Sequence, residues 1–361
     1  MKLYVKNSIK IVTGVLILAS FLVLLIFLLT FSNSFSFSGD FLKLLGKDRN
    51  IAVGELELSR DSDVVLVAVG DIMLSREVER RMIARGDWKY PFLETVEITS
   101  GADITFGNLE TTILEGNLVA DDSFFFRTDP QAVEGLKFAG FDVLSLANNH
   151  MMNFGSDGLE STVENLDGAG IDHIGAGMSD NDINRPVIIE AKGMRLGFLA
   201  YTYNRDKYKN ADGGFYGLSY MDTENMKAQV GELEKEVDVV VVSMHAGTEY
   251  RTTSHISQEN FARAAIDAGA DLVIGHHPHV VETFEKYKDG YIIYSLGNFV
   301  FDQMWSEETR LGAMAKITFR NGEILDIEFV SIKIFDYAQP QILEGDEKEM
   351  ILERLEMERS N

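Results

Sequence analysis

The stretch DLVIGHHPHVVE, residues 271–282, decides the fold of this chain. Its apolar run LVI is followed by glycine and then by His276, His277 and His279. The chain has 7 histidines, and these three lie within four positions. Imidazole is the commonest side-chain metal ligand, and on extended backbone His277 and His279 point to the same side. The stretch therefore predicts a buried strand, residues 271–279, that ends at a metal-binding edge.

Four earlier apolar runs also end in residues that can bind a metal. With the histidine stretch, the five strand ends offer Asp71, Asn108 with Glu110, Asn149 with His150, His245, and His277 with His279. Ligand sites of α/β sheets lie at the carboxyl ends of strands. Carboxylate, amide and imidazole suit divalent Mn, Zn or Fe. Two such ions, about 4 Å apart, can share one carboxylate and activate one water. We therefore expect a centre with two divalent ions.

Each of these residues also has a purely structural interpretation. An aspartate after glycine, as in Gly70-Asp71, is often a turn or helix-capping residue, and a single histidine at a strand end is often structural. We assign His173 and His255 to that structural class. The coincidence of five strand ends favours the metal centre.

The order of strands and helices predicts an α/β protein. Apolar strands alternate with helices up to residue 279, and hairpins turn at Lys192-Gly193, Asp289-Gly290 and Asn321-Gly322. Ser75 is expected to cap a helix that ends at Arg85. This order indicates a mixed sheet covered by helices, with a second sheet packed against it.

The amino terminus predicts a membrane anchor. Three lysines precede Ile11–Phe31, an apolar stretch without charge that is long enough to span a bilayer. The lysines place the N-terminus in the cytoplasm and the remaining chain outside, as a single-pass protein of the cell membrane. The chain divides into a basic tail (1–10), a signal anchor (11–31), a stalk (32–60), one domain (61–335) and a charged C-terminal tail (336–361).

Composition excludes several classes of function. The 57 Asp and Glu outnumber the 33 Lys and Arg, for a net charge of −24, which argues against nucleic acid as a partner. Cysteine is absent, so disulfides, thiolate metal sites and cysteine nucleophiles are excluded.

Several motifs together resemble the CapA family of bacterial capsule synthesis proteins, which is associated with poly-γ-glutamate. They are GDIML (70–74), GNLE (107–110), AGFDVLSLANNH (139–150), AGIDHIGAG (169–177), HAGTEY (245–250), AGADLVIGHHPHV (268–280) and YSLGNFVFD (294–302). That family is similar to calcineurin-like metallophosphoesterases, so the resemblance implies a four-layer α/β/β/α sandwich.

The resemblance also implies roles for the residues at the strand ends. Asp71 and His279 would hold one metal ion, Asn149, His245 and His277 the other, and Glu110 would bridge them. His150 would donate a proton to the leaving group. Residues expected around the metal ligands or at the substrate are Asn108, Arg127, Glu249, His276 and Asn298.

This sequence departs from the related patterns at four positions. The phosphoesterases usually have histidine at the position of Met73 and aspartate at that of Glu110. Within the capsule family, tryptophan is usual at Ala246 and aspartate at Asn153.

Three functions remain open from the sequence. The first is a membrane-anchored, extracytoplasmic protein that acts in synthesis or export of poly-γ-glutamate or a similar anionic surface polymer, with other capsule proteins as partners. The second is a stand-alone metal-dependent hydrolase of phosphoesters or amides. The third is a non-catalytic scaffold of a capsule-assembly complex. We favour a metal-dependent hydrolase.

Overall fold

A computed structural model of the chain describes residues 62–209 and 215–356. The predicted basic tail, signal anchor and stalk, residues 1–60, lie outside the described residues. Within the described ranges, no helix combines the length and apolar character that a membrane crossing requires.

Short strands make up most of the regular structure. The strands are β1 Val64–Ile72, β2 Ile104–Leu109, β3 Thr112–Ile113, β4 Arg127–Thr128, β5 Val143–Ser145, β6 Asp172–Ile174, β7 Ala176–Gly177, β8 Val187–Ala191, β9 Met194–Thr202, β10 Lys207–Lys209, β11 Phe215–Leu218, β12 Val239–His245, β13 Leu272–His276, β14 Phe284–Tyr287, β15 Gly290–Ile293, β16 Asn298–Val300, β17 Leu311–Arg320, β18 Glu323–Phe335 and β19 Gln339–Ile342.

The helices occupy the connections between strands. They are α1 Arg76–Arg85, α2 Val96–Thr99, α3 Val133–Phe138, α4 Gly155–Ala169, α5 Asp180–Ile183, α6 Thr223–Leu233, α7 Ile256–Asp267, α8 Glu307–Arg310 and α9 Asp346–Glu356, with 3₁₀ turns at Tyr90–Phe92 and Pro130–Ala132. Ser75 is the N-cap residue of α1, but its hydroxyl accepts a hydrogen bond from the backbone of Arg127 instead of capping the helix.

Two mixed sheets form the centre of the domain. The first has the strand order β19-β18-β17-β1-β2-β5-β6, with β16 also paired to β1. The second has the order β14-β15-β13-β12-β9-β8. In both sheets the inner strands run parallel. The first sheet has the antiparallel strands β17, β18 and β19 on one side. The second has an antiparallel pair on each side, β14 with β15 and β8 with β9. The predicted α/β class is confirmed.

Three apolar cores separate four layers. One lies between the first sheet and α1, α3 and α4, where Met82, Leu136 and Leu166 are fully buried. The second lies between the sheets, where the rings of Phe106 and Phe198 stack 6.0 Å apart. The third packs α6 and α7 on the second sheet. Burial of apolar area on both faces of each sheet is the main stabilising contribution, at about 25 cal/mol per Å².

Two glycines, one near the end of β1 and one near the end of β13, allow another segment of the chain to pass close by. A Cβ on Gly70 would lie 2.0 Å from the carbonyl oxygen of Gly297, and one on Gly275 would lie 1.9 Å from that of Tyr294. Since real Cβ atoms do not approach so closely, only glycine fits at either position. The close contact holds Asp71 beside the segment that leads into β16.

The histidine stretch differs from its predicted conformation. Strand β13 ends at His276, and residues 277–279 belong to the following turn. His277 and His279 have φ of 100° and 59°, in a region that few residues other than glycine adopt. The prediction of an extended strand through residue 279 was therefore wrong.

The segment after Phe335 packs against the domain. Strand β19 pairs with β18, and Ile351 and Leu355 of α9 are buried. The two histidines assigned a structural role behave accordingly, since His173 contacts Asp167 at 3.5 Å and His255 caps α7.

Candidate metal centre

The register of the first sheet brings three polar side chains into one row. Asp71 of β1 is aligned with Asn108 of β2 on one side and with Asn298 of β16 on the other. All three are fully buried. The amide Nδ2 of Asn108 donates to Asp71 Oδ1 at 2.8 Å. The row therefore presents a fixed carboxylate whose second oxygen, Oδ2, faces the histidine turn and accepts from the His277 N–H at 3.2 Å.

The second sheet supplies the imidazoles. His245, at the end of β12, is aligned with the last residue of β13, so the turn after β13 carries His277 and His279 over the same edge. The rings of His245 and His277 lie 4.8 Å apart, and those of His277 and His279 lie 6.0 Å apart. His279 Nδ1 lies 3.3 Å from Asp71 Oδ2 and 3.0 Å from the amide oxygen of Asn298.

Glu110 lies between the two sheets at the centre of the cluster. Its backbone N–H donates to the carbonyl of Ile72 at 2.8 Å, which places the side chain beyond the end of β1. Oε1 lies 3.9 Å from His245 Nε2 and 3.7 Å from His150 Nε2. Asn149 Oδ1 lies 2.8 Å from the same Nε2 of His245. Five strand ends therefore meet at one cluster.

Burial sets the protonation of the cluster. Burial lowers the pKa of His277 to about 3 and that of His245 well below the usual value, so both rings are neutral, the form that binds metals. Burial, with the charges of Asp71 and Glu249, raises the pKa of Glu110 well above its usual value. Burial opposes ionisation of Asp71 too, but the hydrogen bond with His279 lowers its pKa.

The cluster contains buried polar atoms that a cation would satisfy. Both carboxylate oxygens of Glu110 and Nδ1 of His277 are buried, and no group among the described residues hydrogen bonds to them. Such orphaned groups are costly in a folded protein, by about 1–3 kcal/mol each. Ligand atoms lie within 4.8 Å of one another in each of three groups, namely Asp71, Glu110 and His279; Glu110, His245 and His277; and Glu249, His277 and His279. The donor set fits a divalent ion.

Two residues expected around the metal ligands or at the substrate have their side-chain donors on backbone carbonyls. Arg127 is 3 % exposed, and its guanidinium donates to the carbonyls of Leu114 and Asn117 and contacts Glu79. It therefore holds the loop before β4. His276 is fully buried, with Nε2 3.2 Å from the carbonyl oxygen of Val69, so its ring links the two sheets.

Sequence reasoning did not assign roles to two polar neighbours of His150. Asn153 Oδ1 accepts from the backbone N–H of Phe126 and lies 3.1 Å from His150 Nδ1. The ring of His150 stacks on that of Phe126 at 4.0 Å, and the guanidinium of Arg76 lies over the ring of Phe126, 4.6 Å from its centroid. The family pattern marked Asn153 as a position where aspartate is usual, but gave it no role.

Aromatic side chains line the mouth of the cluster. Tyr203 is 45 % exposed and its ring lies 4.8 Å from that of His277. Tyr250, 6.0 Å from the ring of His279, contacts the exposed Trp305 at 4.8 Å. The buried cluster therefore opens to solvent between exposed aromatic rings.

Comparison with known proteins agrees with the motifs. Residues 65–303 match the sequence model of the family described as bacterial capsule synthesis protein PGA_cap. The chain is 31 % identical over 274 residues to the capsule biosynthesis protein CapA of Bacillus anthracis. It is 34 % identical over 252 residues to the PGA biosynthesis protein CapA of Bacillus subtilis strain 168. These matches cover 74 % and 69 % of this chain and 66 % of each relative, slightly less than two thirds of its length.

Solved structures support the fold. A candidate 5′-nucleotidase from Staphylococcus aureus superposes with a TM-score of 0.50 at 14 % identity, over 82 % of this chain and 58 % of that chain. Identity this low supports only the shared arrangement of sheets and helices. With the family match over residues 65–303 and the two CapA relatives, the chain belongs to the PGA_cap family of bacterial capsule synthesis proteins.

Proposed function

We propose that this protein is a metal-dependent hydrolase that acts on poly-γ-glutamate, or a similar anionic surface polymer, during capsule synthesis or export. The polymer class comes from the names of the CapA relatives, one of which is described as a PGA biosynthesis protein. The protein would be held at the cell membrane by residues 11–31, with its domain outside the cell and other capsule proteins as partners.

The observation that carries the proposal is the position of Glu110. Its carboxylate belongs to both of the fully buried groups of candidate ligands, one with Asp71 and His279 and one with His245 and His277. A carboxylate shared by two groups of ligands is the arrangement of two-metal hydrolases. Because no described residue hydrogen bonds to either oxygen, two cations would turn a costly buried acid into a bridging ligand.

The side chains divide into two ligand sets. Asp71 and His279 would hold one ion, and Asn149, His245 and His277 the other. Asn149 Oδ1 and His245 Nε2, 2.8 Å apart, are close enough to bind a single ion. When bound, Mn, Zn or Fe ions would acidify a water and polarise the bond that is cleaved.

His150 is the group that would move the proton. Asn153 Oδ1 is an acceptor and receives a hydrogen bond from a backbone N–H. Its contact with His150 Nδ1 is therefore a hydrogen bond when Nδ1 carries the ring proton. Nε2 is then left with its lone pair, facing Glu110 at 3.7 Å. In this tautomer Nε2 can accept a proton from the attacking water and return it to the leaving group.

A strongly acidic protein needs local positive charge to meet an anionic polymer. The formal net charge is −24, so the surface as a whole repels a polyanion. The guanidinium of Arg76 lies near the cluster, where its charge lowers the pKa of Glu110 against the larger effect of burial. Since Arg76 is already paired with the carboxylate of Asp302, bound cations would supply most of the positive charge that attracts an anionic group of the polymer to the centre.

The shared-carboxylate geometry also suits phosphoester hydrolysis, which is the second candidate function.

The test is an assay of the full-length chain in detergent, loaded with Mn²⁺, on poly-γ-glutamate and on bis-p-nitrophenyl phosphate. We expect the polymer to shorten on size-exclusion chromatography, and chelation with EDTA to stop the reaction. Hydrolysis of the phosphodiester alone would favour the second candidate, and inactivity on both would contradict the hydrolase proposal.

A further inference from the structure

Glu249 belongs to a third group of candidate ligands that joins the other two. The group contains Glu249, His277 and His279, with ligand atoms within 4.8 Å of one another. His277 is shared with one of the buried groups and His279 with the other. Glu249 therefore lies within reach of one histidine from each of the two buried groups.

The loop that carries Glu249 is fixed against the histidine turn. The backbone N–H of Tyr250 donates to the carbonyl of Pro278 at 2.8 Å. Tyr250 has φ of 61°, and its ring lies 6.0 Å from that of His279. The carboxylate of Glu249 is thus held near the two histidines although its residue is exposed to solvent.

Glu249 and Glu110 approach the histidines from different environments. Glu110 is fully buried, whereas Glu249 lies at the solvent side. The charge of Glu249 adds to burial and to Asp71 in raising the pKa of Glu110, so the two carboxylates repel each other across the site. Cations bound between them would convert this repulsion into attraction.

We propose that Glu249 is an exchangeable, solvent-side ligand of the metal centre. This inference rests on the proposed metal centre. In the resting protein, Glu249 occupies one coordination position, on the solvent side, of one of the two ions. An anionic oxygen of the substrate class, a carboxylate or a phosphate, displaces it on binding. Glu110 is fully buried and is therefore not placed to exchange in this way, whereas Glu249 is exposed.

The test is calorimetric titration of the metal-free, full-length chain with Mn²⁺, for the wild type, Glu249→Gln and Glu249→Ala. Glu224→Gln is the matched control, since Glu224 is 84 % exposed on α6 and contacts only Lys227 among the ion pairs of the described residues. We expect both Glu249 variants to bind one of the two ions about 10-fold or more weakly, with the second ion and the urea unfolding midpoint unchanged.

A second titration adds inorganic phosphate to the metal-loaded protein. Here the Glu249 variants are expected to bind more tightly than the wild type, whereas they bind metal more weakly. Loss of the competing carboxylate should tighten phosphate binding by about 5-fold or more in both Glu249 variants and leave Glu224→Gln unchanged. Two ions bound with unaltered affinities in the Glu249 variants would overturn this inference while leaving the metal centre intact. A wild type that binds no Mn²⁺ would overturn the metal centre itself.

Discussion

His277 and His279 adopt backbone conformations that cost free energy. Both are at positive φ, a conformation that costs about 1–3 kcal/mol for residues other than glycine. The turn is held by the hydrogen bond from the His277 N–H to Asp71 Oδ2, at 3.2 Å, and by the bond from Tyr250 to Pro278. Strain that the surrounding structure maintains is common where side chains must be aimed at a ligand. The strain therefore supports a functional position for both rings.

His150 is expected to act in the chemistry without being required for metal binding. Its ring is fixed by Phe126 and Asn153, and its Nε2 faces the shared carboxylate. Replacement by asparagine, His150→Asn, should lower kcat by about 10²-fold or more, since loss of a positioned proton-transfer group has that magnitude. Metal content, measured by elemental analysis, should stay at the wild-type value. An unaltered kcat in this variant would remove His150 from the mechanism.

Some residue-scale features could be read from the sequence and others could not. Imidazoles and carboxylates at strand ends were visible because apolar runs mark the strands and the polar residue follows directly. The positive φ of the histidine turn could not be read from the sequence, since it depends on contacts with Asp71 and Tyr250. Arg127 was expected to contact substrate because an isolated arginine suits an anion, but loop carbonyls satisfy its donors.

At the scale of elements, the pairing of β16 with β1 completes the row of polar residues. Asn298 lies far along the chain from Asp71, and their alignment depends on the close contact between Gly70 and Gly297. The sequence pattern predicted the helix that ends at Arg85 and the hairpins that turn at Lys192-Gly193 and Asn321-Gly322. It could not predict this long-range pairing, because local patterns do not specify which strands meet.

Asp271, at the entrance to β13, links the stability of this element to pH. Burial, partly offset by a hydrogen bond from the Val240 N–H, raises the pKa of its carboxyl from 3.8 to about 6. Well below pH 3.8 the group is protonated in both the folded and the unfolded state and has no effect. As pH rises from 3.8 to 6 the unfolded state is increasingly favoured, because its carboxyl ionises first, by up to about 2–3 kcal/mol.

Asp271→Asn should therefore become more stable relative to the wild type as pH increases. The amide oxygen can still accept from Val240, but it carries no charge. The difference in unfolding free energy should grow in favour of the variant by about 2–3 kcal/mol between pH 4 and pH 6.5, as measured by urea denaturation. A difference that is constant over this range would show that Asp271 ionises equally in both states.

At the scale of the whole molecule, two sheets with helices outside them bring five distant strand ends to one edge. The family match begins at residue 65 and ends at 303, which spans every strand that contributes to the cluster. Composition and charge argued against nucleic acid, and the family resemblance pointed to an anionic polymer, but the sequence could not show how an acidic protein would approach a polyanion. Arg76 beside the cluster is already paired with Asp302, so under the proposal bound cations would supply the positive charge that a polyanion meets. Anchoring by residues 11–31 stays a prediction.

The most direct test of the account is the metal content of the purified full-length chain, prepared without chelators or nickel affinity. We predict about two equivalents of Mn, Zn or Fe per chain. His277→Ala should lose tight binding, whereas His255→Ala, which changes only a helix cap, should keep both ions. A wild-type chain that holds no divalent metal, even after incubation with Mn²⁺ and Zn²⁺, would contradict the account and favour a scaffold.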